Sequence, residues 1–161
     1  MSETKQVDFT FVIPNTRWHK GGEGRYWNHI PYPEGILTAV LRKNGYSVNH
    51  IDANTENLTE DELLQILREK AGKVVGISAL SVEYRDSVHK SFAIIKKAKP
   101  NSKTVIGGVY PSISPDVAKE DDNIDFVVIS EGEERLLKLM DAIKNKKDFR
   151  YIDGLHYRDE D

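Results

Sequence analysis

Short continuous runs of apolar residues alternate along this chain with segments in which apolar residues recur at helical spacing. The run at 73–80 is apolar on both faces of the strand that it predicts, which is typical of a parallel sheet covered by helices on both sides. Four similar runs lie at 7–13, 46–51, 104–106 and 125–129. Strands and helices that alternate in this way indicate a doubly wound α/β domain with right-handed crossovers.

The helical segments carry end signals that support this interpretation. Thr59 is followed three residues later by Glu62, which is the capping-box pattern of a helix N-terminus. Further helices are predicted over 84–98, from near Pro115 and after the fifth strand. We therefore expect a flavodoxin-like or Rossmann-like fold with a five-stranded, mainly parallel sheet of order 2-1-3-4-5 and helices on both faces. A last β-like segment lies at 152–157.

The composition is that of an ordinary globular domain. The 161 residues are 39% hydrophobic and 30% charged, which is sufficient for one domain with its own core. The net charge of -3 gives no general attraction to nucleic acid or to anionic membranes. No apolar run approaches the roughly 20 residues that span a bilayer, and the N-terminus lacks the apolar core of a signal peptide. We therefore expect a cytoplasmic protein without nucleic-acid or membrane partners.

Several chemistries require residues that this sequence lacks. It contains no cysteine, which excludes disulfides, thiolate nucleophiles and thiolate zinc sites. No Gly-x-Gly-x-x-Gly follows a strand, and no phosphate-binding loop of the Gly-x-x-x-x-Gly-Lys-Ser/Thr type occurs. His19 and His29 lie ten residues apart with no third ligand at a diagnostic spacing. We predict no catalytic and no metal-binding residues within this chain.

Ligands of doubly wound sheets bind beyond the carboxyl ends of the strands. The segment after the first strand, at 14–33, is unusually long for a connection in this fold and contains both tryptophans of the chain. Its aromatic and basic side chains suit a large, flat, apolar ligand, although the rings can also fold back on the sheet. They are Arg17, Trp18, His19, Tyr26, Trp27, His29 and Tyr32.

Two further strand ends carry polar or very small residues. Ser78 and Ser81 follow the third strand, where a hydroxyl either binds a ligand or caps the next helix. Gly107 and Gly108 follow the fourth strand, where two missing Cβ atoms allow either close approach of a bulky group or a tight turn with positive φ. Glu131 precedes the last helix, whose N-terminal end favours carboxylates.

Taken in order, these segments resemble the cobalamin-binding domain that precedes the catalytic barrel in one class of radical S-adenosylmethionine enzymes. The resemblance covers almost the whole chain. It is carried by Pro33-Glu34-Gly35-Ile36-Leu37, Gly76-Ile77-Ser78-Ala79-Leu80, Gly107-Gly108-Val109-Tyr110-Pro111, Asp125-Phe126-Val127-Val128-Ile129-Ser130-Glu131-Gly132-Glu133 and Ile152-Asp153-Gly154-Leu155-His156-Tyr157-Arg158.

The resemblance implies a site for cobalamin. In the wider family a Ser-x-Leu motif and a later glycine pair line the slot for the nucleotide tail of the cofactor, which here implies Ser78, Leu80, Gly107 and Gly108. The rest of the expected cofactor site comes from the same strand-end segments: Trp18, His19, Ser81, Tyr110, Pro111 and Glu131. S-adenosylmethionine and a 4Fe–4S cluster would belong to a radical barrel domain, which acts as a partner in cis or in trans.

The sequence departs from the family pattern at two points. The cobalt-binding histidine of the Asp-x-His-x-x-Gly motif has only a partial equivalent in His19 and Gly22, because Arg17 stands in place of the aspartate. Many radical-enzyme members lack this histidine, so its loss indicates a different lower axial position on cobalt. The cysteine cluster that holds the iron–sulfur centre of the barrel is absent from this chain.

We therefore interpret 1–161 as a single domain, with 150–161 as the start of a linker to a radical barrel that is absent here. The predicted function is that of a cobalamin-binding module, with methyl transfer or related radical chemistry carried out by the complete enzyme. Two alternatives remain. One is a domain of the same family that binds no cobalamin and acts as a scaffold or substrate-recognition module. The other is an unrelated flavodoxin-like enzyme or regulatory domain that uses the histidine-rich loop.

Overall fold

The computed structural model describes residues 6–18 and 30–158. The strands are β1 (Phe9–Ile13), β2 (Val48–Asp52), β3 (Val74–Ser78), β4 (Lys103–Gly107), β5 (Phe126–Val128) and β6 (Leu155–Tyr157). The helices are α1 (Tyr32–Lys43), α2 (Glu60–Lys70), α3 (Arg85–Ala98), α4 (Val109–Ile113), α5 (Pro115–Lys119) and α6 (Glu133–Asn145). A single 3-10 turn at Val82–Tyr84 leads into α3.

The strands form one sheet of order β2-β1-β3-β4-β5-β6. The predicted order 2-1-3-4-5 is confirmed, and these five strands are parallel. The predicted number of strands was one too low, because β6 joins the sheet as an antiparallel neighbour of β5, with Leu155 opposite Val128. The sequence indicated 152–157 as β-like, but its mixture of polar and apolar residues does not show whether such a segment joins the sheet.

Helices cover both faces of the sheet, as expected for a doubly wound domain. On one face, α2 and α3 pack with side chains such as Leu63, Leu67 and Phe92 in one continuous apolar core. On the other face, α1 and α6 bury Leu41 and Leu139 against a second core. The alternating direction of side chains along each strand supplies both cores at once.

Two helix starts illustrate how the sequence sets these boundaries. The capping box of α2 is formed as predicted: the Thr59 hydroxyl accepts a hydrogen bond from the Glu62 amide at 3.3 Å, and the Glu62 carboxylate accepts one from the Thr59 amide at 2.8 Å. Helix α1 begins at Tyr32, inside the segment that the sequence indicated as loop. Pro33 lies in its first turn, where a missing amide proton costs no hydrogen bond.

The described helices include none that is long and apolar enough to cross a membrane.

Candidate cofactor site

A cavity of ≈ 470 Å³ lies at the carboxyl edge of the sheet, and we call it the main cavity. Its lining comes from the ends of β3, β4 and β5, from β1, and from the N-terminal turns of α1 and α6. The cavity therefore lies on the sheet face that α1 and α6 cover, where these two helices leave the strand ends open. Its position agrees with the rule that open α/β sheets bind ligands beyond their carboxyl ends.

The buried part of this lining is apolar. Its buried members among the described residues are Phe9, Phe11, Gly76, Ile77, Val105, Val128 and Leu136. None of these side chains carries a polar atom. An environment of this kind favours a flat hydrocarbon or aromatic group over one with hydrogen-bonding atoms.

Gly76 allows an aromatic wall to form in this part of the cavity. An added Cβ at Gly76 would lie 2.4 Å from Cζ of Phe9, so the Phe9 ring occupies the space that a side chain at position 76 would take. The ring of Phe11 lies beside it, with centroids 4.5 Å apart and planes tilted by 53°. The two rings are almost fully buried and form a continuous aromatic layer behind the cavity.

Polar side chains of the lining lie at the mouth of the main cavity. They are Ser78, Ser112, Ser130, Glu131 and Glu133, all half-buried or exposed. The Ser112 hydroxyl donates to the Gly108 carbonyl oxygen at 2.8 Å and accepts from the Ser130 amide at 3.0 Å, which ties α4 to the end of β5.

The two glycines after β4 have different roles. An added Cβ at Gly107 would meet only Val128, at 3.9 Å, so this position is open to the cavity. Gly108 has a φ of +98°, and an added Cβ would lie 2.7 Å from the Ala79 carbonyl oxygen. Both interpretations of the pair from sequence thus apply, one to each residue: Gly107 gives space, and Gly108 makes the turn into α4.

Exposed apolar side chains surround the mouth, and we call them the apolar rim. Tyr32 and Ile36 of α1 are 68% and 51% exposed, and Val109 and Ile113 of α4 are 50% and 63% exposed. Large apolar side chains that are exposed together around a cavity mark a surface that binds another apolar group.

Five of the ten residues expected at the cofactor site lie together around the main cavity. They are Ser78, Leu80, Gly107, Gly108 and Glu131. Sequence reasoning missed the aromatic and aliphatic lining. The alternation of β1 places Phe9 and Phe11 on one face, and a glycine in the middle of an apolar strand indicates a close approach, so both signals were present.

Four of the other expected residues lie elsewhere. Tyr110 and Pro111 are the buried residues of α4 and lie outside the lining of the main cavity. Trp18 packs against the core on the α2 and α3 face. Ser81 lines a separate cavity of ≈ 210 Å³, and its hydroxyl accepts a hydrogen bond from the Glu83 amide at 3.2 Å, as a helix cap does. His19 lies outside the described residues.

This second cavity adjoins the main one at the ends of β1 and β3, and Ser78 and Leu80 line both. It also contains Glu34, whose side chain is only 1% exposed. Thr16 contributes a hydroxyl to the same space. The second cavity is thus smaller and more polar in its buried part than the main cavity.

Tyr110 supports the site indirectly through a hydrogen-bonded chain. Its hydroxyl lies 2.7 Å from Nε2 of His89, and Nδ1 of His89 lies 2.5 Å from the carboxylate of Asp121. Burial raises the pKa of Tyr110, so its hydroxyl keeps its proton. Burial also acts to raise the pKa of Asp121, but hydrogen bonds from His89 and Asn123 outweigh it and lower that pKa. The chain fixes α4, which carries part of the lining, to α3.

Arg17, which replaces the aspartate of the family motif, is held by the segment after β2. Its Nη1 donates to the Asn54 carbonyl oxygen at 2.9 Å and to Oδ1 of Asn57 at 3.0 Å. Asn15 completes the cluster by donating from Nδ2 to the Leu58 carbonyl oxygen at 3.0 Å. These contacts anchor the chain directly after β1 and assign Arg17 a structural role there.

A family model described as the B12 binding domain matches residues 29–140 of the chain. The matched segment is well over half of the 161 residues. The chain therefore belongs to the B12 binding domain family, which confirms the resemblance carried by its motifs.

The chain is also similar to parts of longer proteins. It is 28% identical over 149 residues to cytidylyl-2-hydroxyethylphosphonate methyltransferase of Streptomyces wedmorensis, a match that covers 81% of the chain and 28% of that protein. It is 30% identical over 152 residues to anaerobic magnesium-protoporphyrin IX monomethyl ester cyclase of Rubrivivax gelatinosus, covering 91% of the chain and 27% of that protein. The chain thus spans little more than a quarter of the length of these relatives.

Solved structures with the same fold include two cobalamin-dependent proteins. The radical S-adenosylmethionine methyltransferase TsrM from Kitasatospora setae, solved with cobalamin and a 4Fe–4S cluster bound, gives a TM-score of 0.82 at 21% identity over 96% of this chain and 29% of that chain. The cobalamin-dependent S-adenosylmethionine radical enzyme OxsB, solved with aqua-cobalamin and S-adenosylmethionine bound, gives 0.78 at 21% identity over 97% of this chain and 21% of that chain. At identities this low, the structural similarity establishes a shared fold and no more.

Proposed function

We propose that this domain binds cobalamin through the main cavity and serves as the cobalamin-binding module of a radical S-adenosylmethionine enzyme. The observation that carries the proposal is an apolar cavity at the carboxyl edge of the sheet, open beside the bare backbone of Gly107. Its volume of ≈ 470 Å³ lies in the range of small-molecule and cofactor sites, which is roughly 300–1,000 Å³.

The residues present fit the nucleotide tail of cobalamin, which ends in a flat dimethylbenzimidazole ring. The aromatic wall of Phe9 and Phe11 makes the back of the cavity apolar, and Gly107 leaves room for that ring beside the strand end. Ser78 and Ser130 lie at the mouth, where hydroxyl and backbone groups suit the sugar and phosphate of the tail.

Each part of the site has a distinct task in this proposal. The buried lining would exclude water from the base of the cofactor. The apolar rim would face the corrin. Cobalamin supplies a cobalt centre that carries a methyl group, while this chain supplies binding and orientation.

The reaction requires a second domain. We propose that a radical S-adenosylmethionine domain, in cis or in trans, holds S-adenosylmethionine and the iron–sulfur cluster, and that 150–161 lead towards it. Similarity to two much longer proteins, one of them a methyltransferase, supports this proposal. Methyl transfer or a related radical reaction would then be the activity of the complete enzyme.

The proposal is tested by titrating the purified domain with hydroxocobalamin, removing free cofactor by gel filtration and recording the visible spectrum. We expect stoichiometric absorbance to remain with the protein, with the spectrum of cobalamin whose benzimidazole is off the metal. A colourless protein would overturn the proposal and favour a scaffold or substrate-recognition role.

A matched pair of variants places the site. Gly107→Leu adds a side chain beside the main cavity, where only Val128 lies within 4 Å of the new Cβ, and we expect it to abolish retention of the cofactor. Gly35→Leu adds the same side chain on the exposed side of α1, where nothing lies within 4 Å of the new Cβ. It should bind as the wild type does. Equal retention by both variants would exclude the main cavity as the site.

A further inference from the structure

We propose that the main cavity selects cobamides whose lower base is an apolar benzimidazole and discriminates against those that carry a purine such as adenine. This inference rests on the proposed function and specifies the ligand class of the same site. Natural cobamides share the corrin ring and differ in this base, so the lining of the cavity decides which of them the domain retains.

The first argument is the distribution of polar side chains. Every buried member of the described lining is apolar or glycine, and the lining residues with polar side chains are all half-buried or exposed. Benzimidazole bears methyl groups on its outer ring, whereas adenine bears an exocyclic amine and additional ring nitrogens. The buried side chains of the described lining offer those nitrogens no hydrogen-bond partner.

The second argument concerns the backbone. Gly76 pairs with Val105 in the β3–β4 ladder and with Phe11 in the β1–β3 ladder. Val105 pairs in turn with Phe126 of β5. The strands behind the cavity are therefore paired with neighbours on both sides, and their amides and carbonyls are committed to the sheet.

The third argument concerns Ser112, whose hydroxyl lies near the mouth. It already donates to the Gly108 carbonyl oxygen and accepts from the Ser130 amide. A purine nitrogen would have to displace one of these bonds, which hold α4 against the end of β5. The Ser112 hydroxyl is thus already in use.

These arguments predict an asymmetric preference. A base that brings unmatched polar atoms into the cavity loses its hydrogen bonds to water without replacement. The loss expected for one or two such groups is about 10- to 100-fold in affinity. Removing the tail altogether loses the burial of the base in the apolar cavity, so cobinamide should bind more weakly than either complete cobamide.

The test is a set of titrations of the wild-type domain with cobalamin, adeninyl-cobamide and cobinamide under identical conditions. We expect cobalamin to bind about 10- to 100-fold more tightly than adeninyl-cobamide, with cobinamide weakest. Equal affinity for cobalamin and adeninyl-cobamide would overturn this inference and leave the proposed function intact. Absence of binding by all three would instead refute the proposed function.

A substitution tests the cause of the preference. Val128→Thr places a hydroxyl in the buried lining with little change in volume. We expect it to reduce the ratio of the affinities for cobalamin and adeninyl-cobamide by threefold or more, which is on the order of half of the free energy of a typical hydrogen bond. Val117→Thr makes the same change on an exposed position of α5, outside the lining of the main cavity, and should leave the affinity ratio unchanged. If Val128→Thr does not fold, Val105→Thr replaces it. A folded variant with an unchanged ratio of the two affinities would contradict the inference.

Discussion

Gly108 lies so close to Ala79 that the two residues hold the ends of β4 and β3 together. The Ala79 carbonyl oxygen accepts a hydrogen bond from the Tyr110 amide at 3.0 Å, and the Ala79 amide donates to the Gly107 carbonyl oxygen at 2.8 Å. A side chain at Gly108 would collide with this junction, while one at Gly107 would not.

Substitutions at Gly107 and Gly108 should therefore have different effects on the free energy of unfolding. Gly108→Ala forces a left-handed φ of +98° on a residue with a Cβ, and we expect a loss of roughly 1–3 kcal/mol in the free energy of unfolding. Gly107→Ala should change it by less than about 0.5 kcal/mol. Urea denaturation of both variants provides the comparison, and equal losses would show that the turn does not need a glycine at 108.

Gly76→Ala tests the aromatic wall of the cavity. The new Cβ would lie 2.4 Å from Cζ of Phe9, so the ring has to move, and we expect a loss of roughly 1–3 kcal/mol from overpacking. Gly35→Ala is the control, because its Cβ meets nothing within 4 Å and alanine favours a helix by about 0.5–1 kcal/mol. Thermal unfolding checks both. A fully stable Gly76→Ala variant would mean that Phe9 relocates freely.

Asp121→Asn tests the hydrogen-bonded chain that fixes α4. The pKa of Asp121 is lowered in the folded protein, so the carboxylate contributes stability above the ordinary carboxyl pKa of about 4, and this contribution is lost as pH falls through the lowered pKa. We expect Asn to lower stability near neutral pH and to flatten its decline below about pH 4. Denaturation from pH 7 to pH 2.5 measures the profile; parallel curves would refute a stabilising role of the charge.

Thr59→Ala tests the capping box of α2. Losing a hydroxyl that accepts from the Glu62 amide should lower the free energy of unfolding by about 1 kcal/mol. Thr55→Ala changes the same residue type at an exposed position nearby and should be close to neutral. Urea denaturation of both variants provides the measurement. A lower midpoint for Thr59→Ala alone, at unchanged slope, would show that Thr59 caps the helix, whereas equal midpoints would show that it does not.

The order of the strands was predictable because the alternation of β and helical periods indicates a doubly wound sheet, and 2-1-3-4-5 is one of the few common strand orders of such sheets. The same rule places Ser78 and Gly107 at one edge of the sheet, since each follows a parallel strand at its carboxyl end. Leu136 was not predictable as lining, since the cavity forms where α1 and α6 separate, and that gap depends on how whole helices pack. Trp18 was expected at the ligand site and packs into the opposite core instead, next to a turn that Arg17 anchors.

The antiparallel direction of β6 determines where any following polypeptide must start. Because Leu155 pairs with Val128 and Tyr157 pairs with Phe126, the chain leaves the sheet at the amino end of β5, the end opposite the main cavity. Arg158 pairs there with Asp122 and donates to the Lys119 carbonyl oxygen at 2.7 Å. The polypeptide that connects a partner domain at this point would run back along the side of the sheet for about 15 Å, or some five extended residues, before that domain could cover the cofactor. The length of this connection would thus limit how closely the partner domain can approach a cofactor in the main cavity.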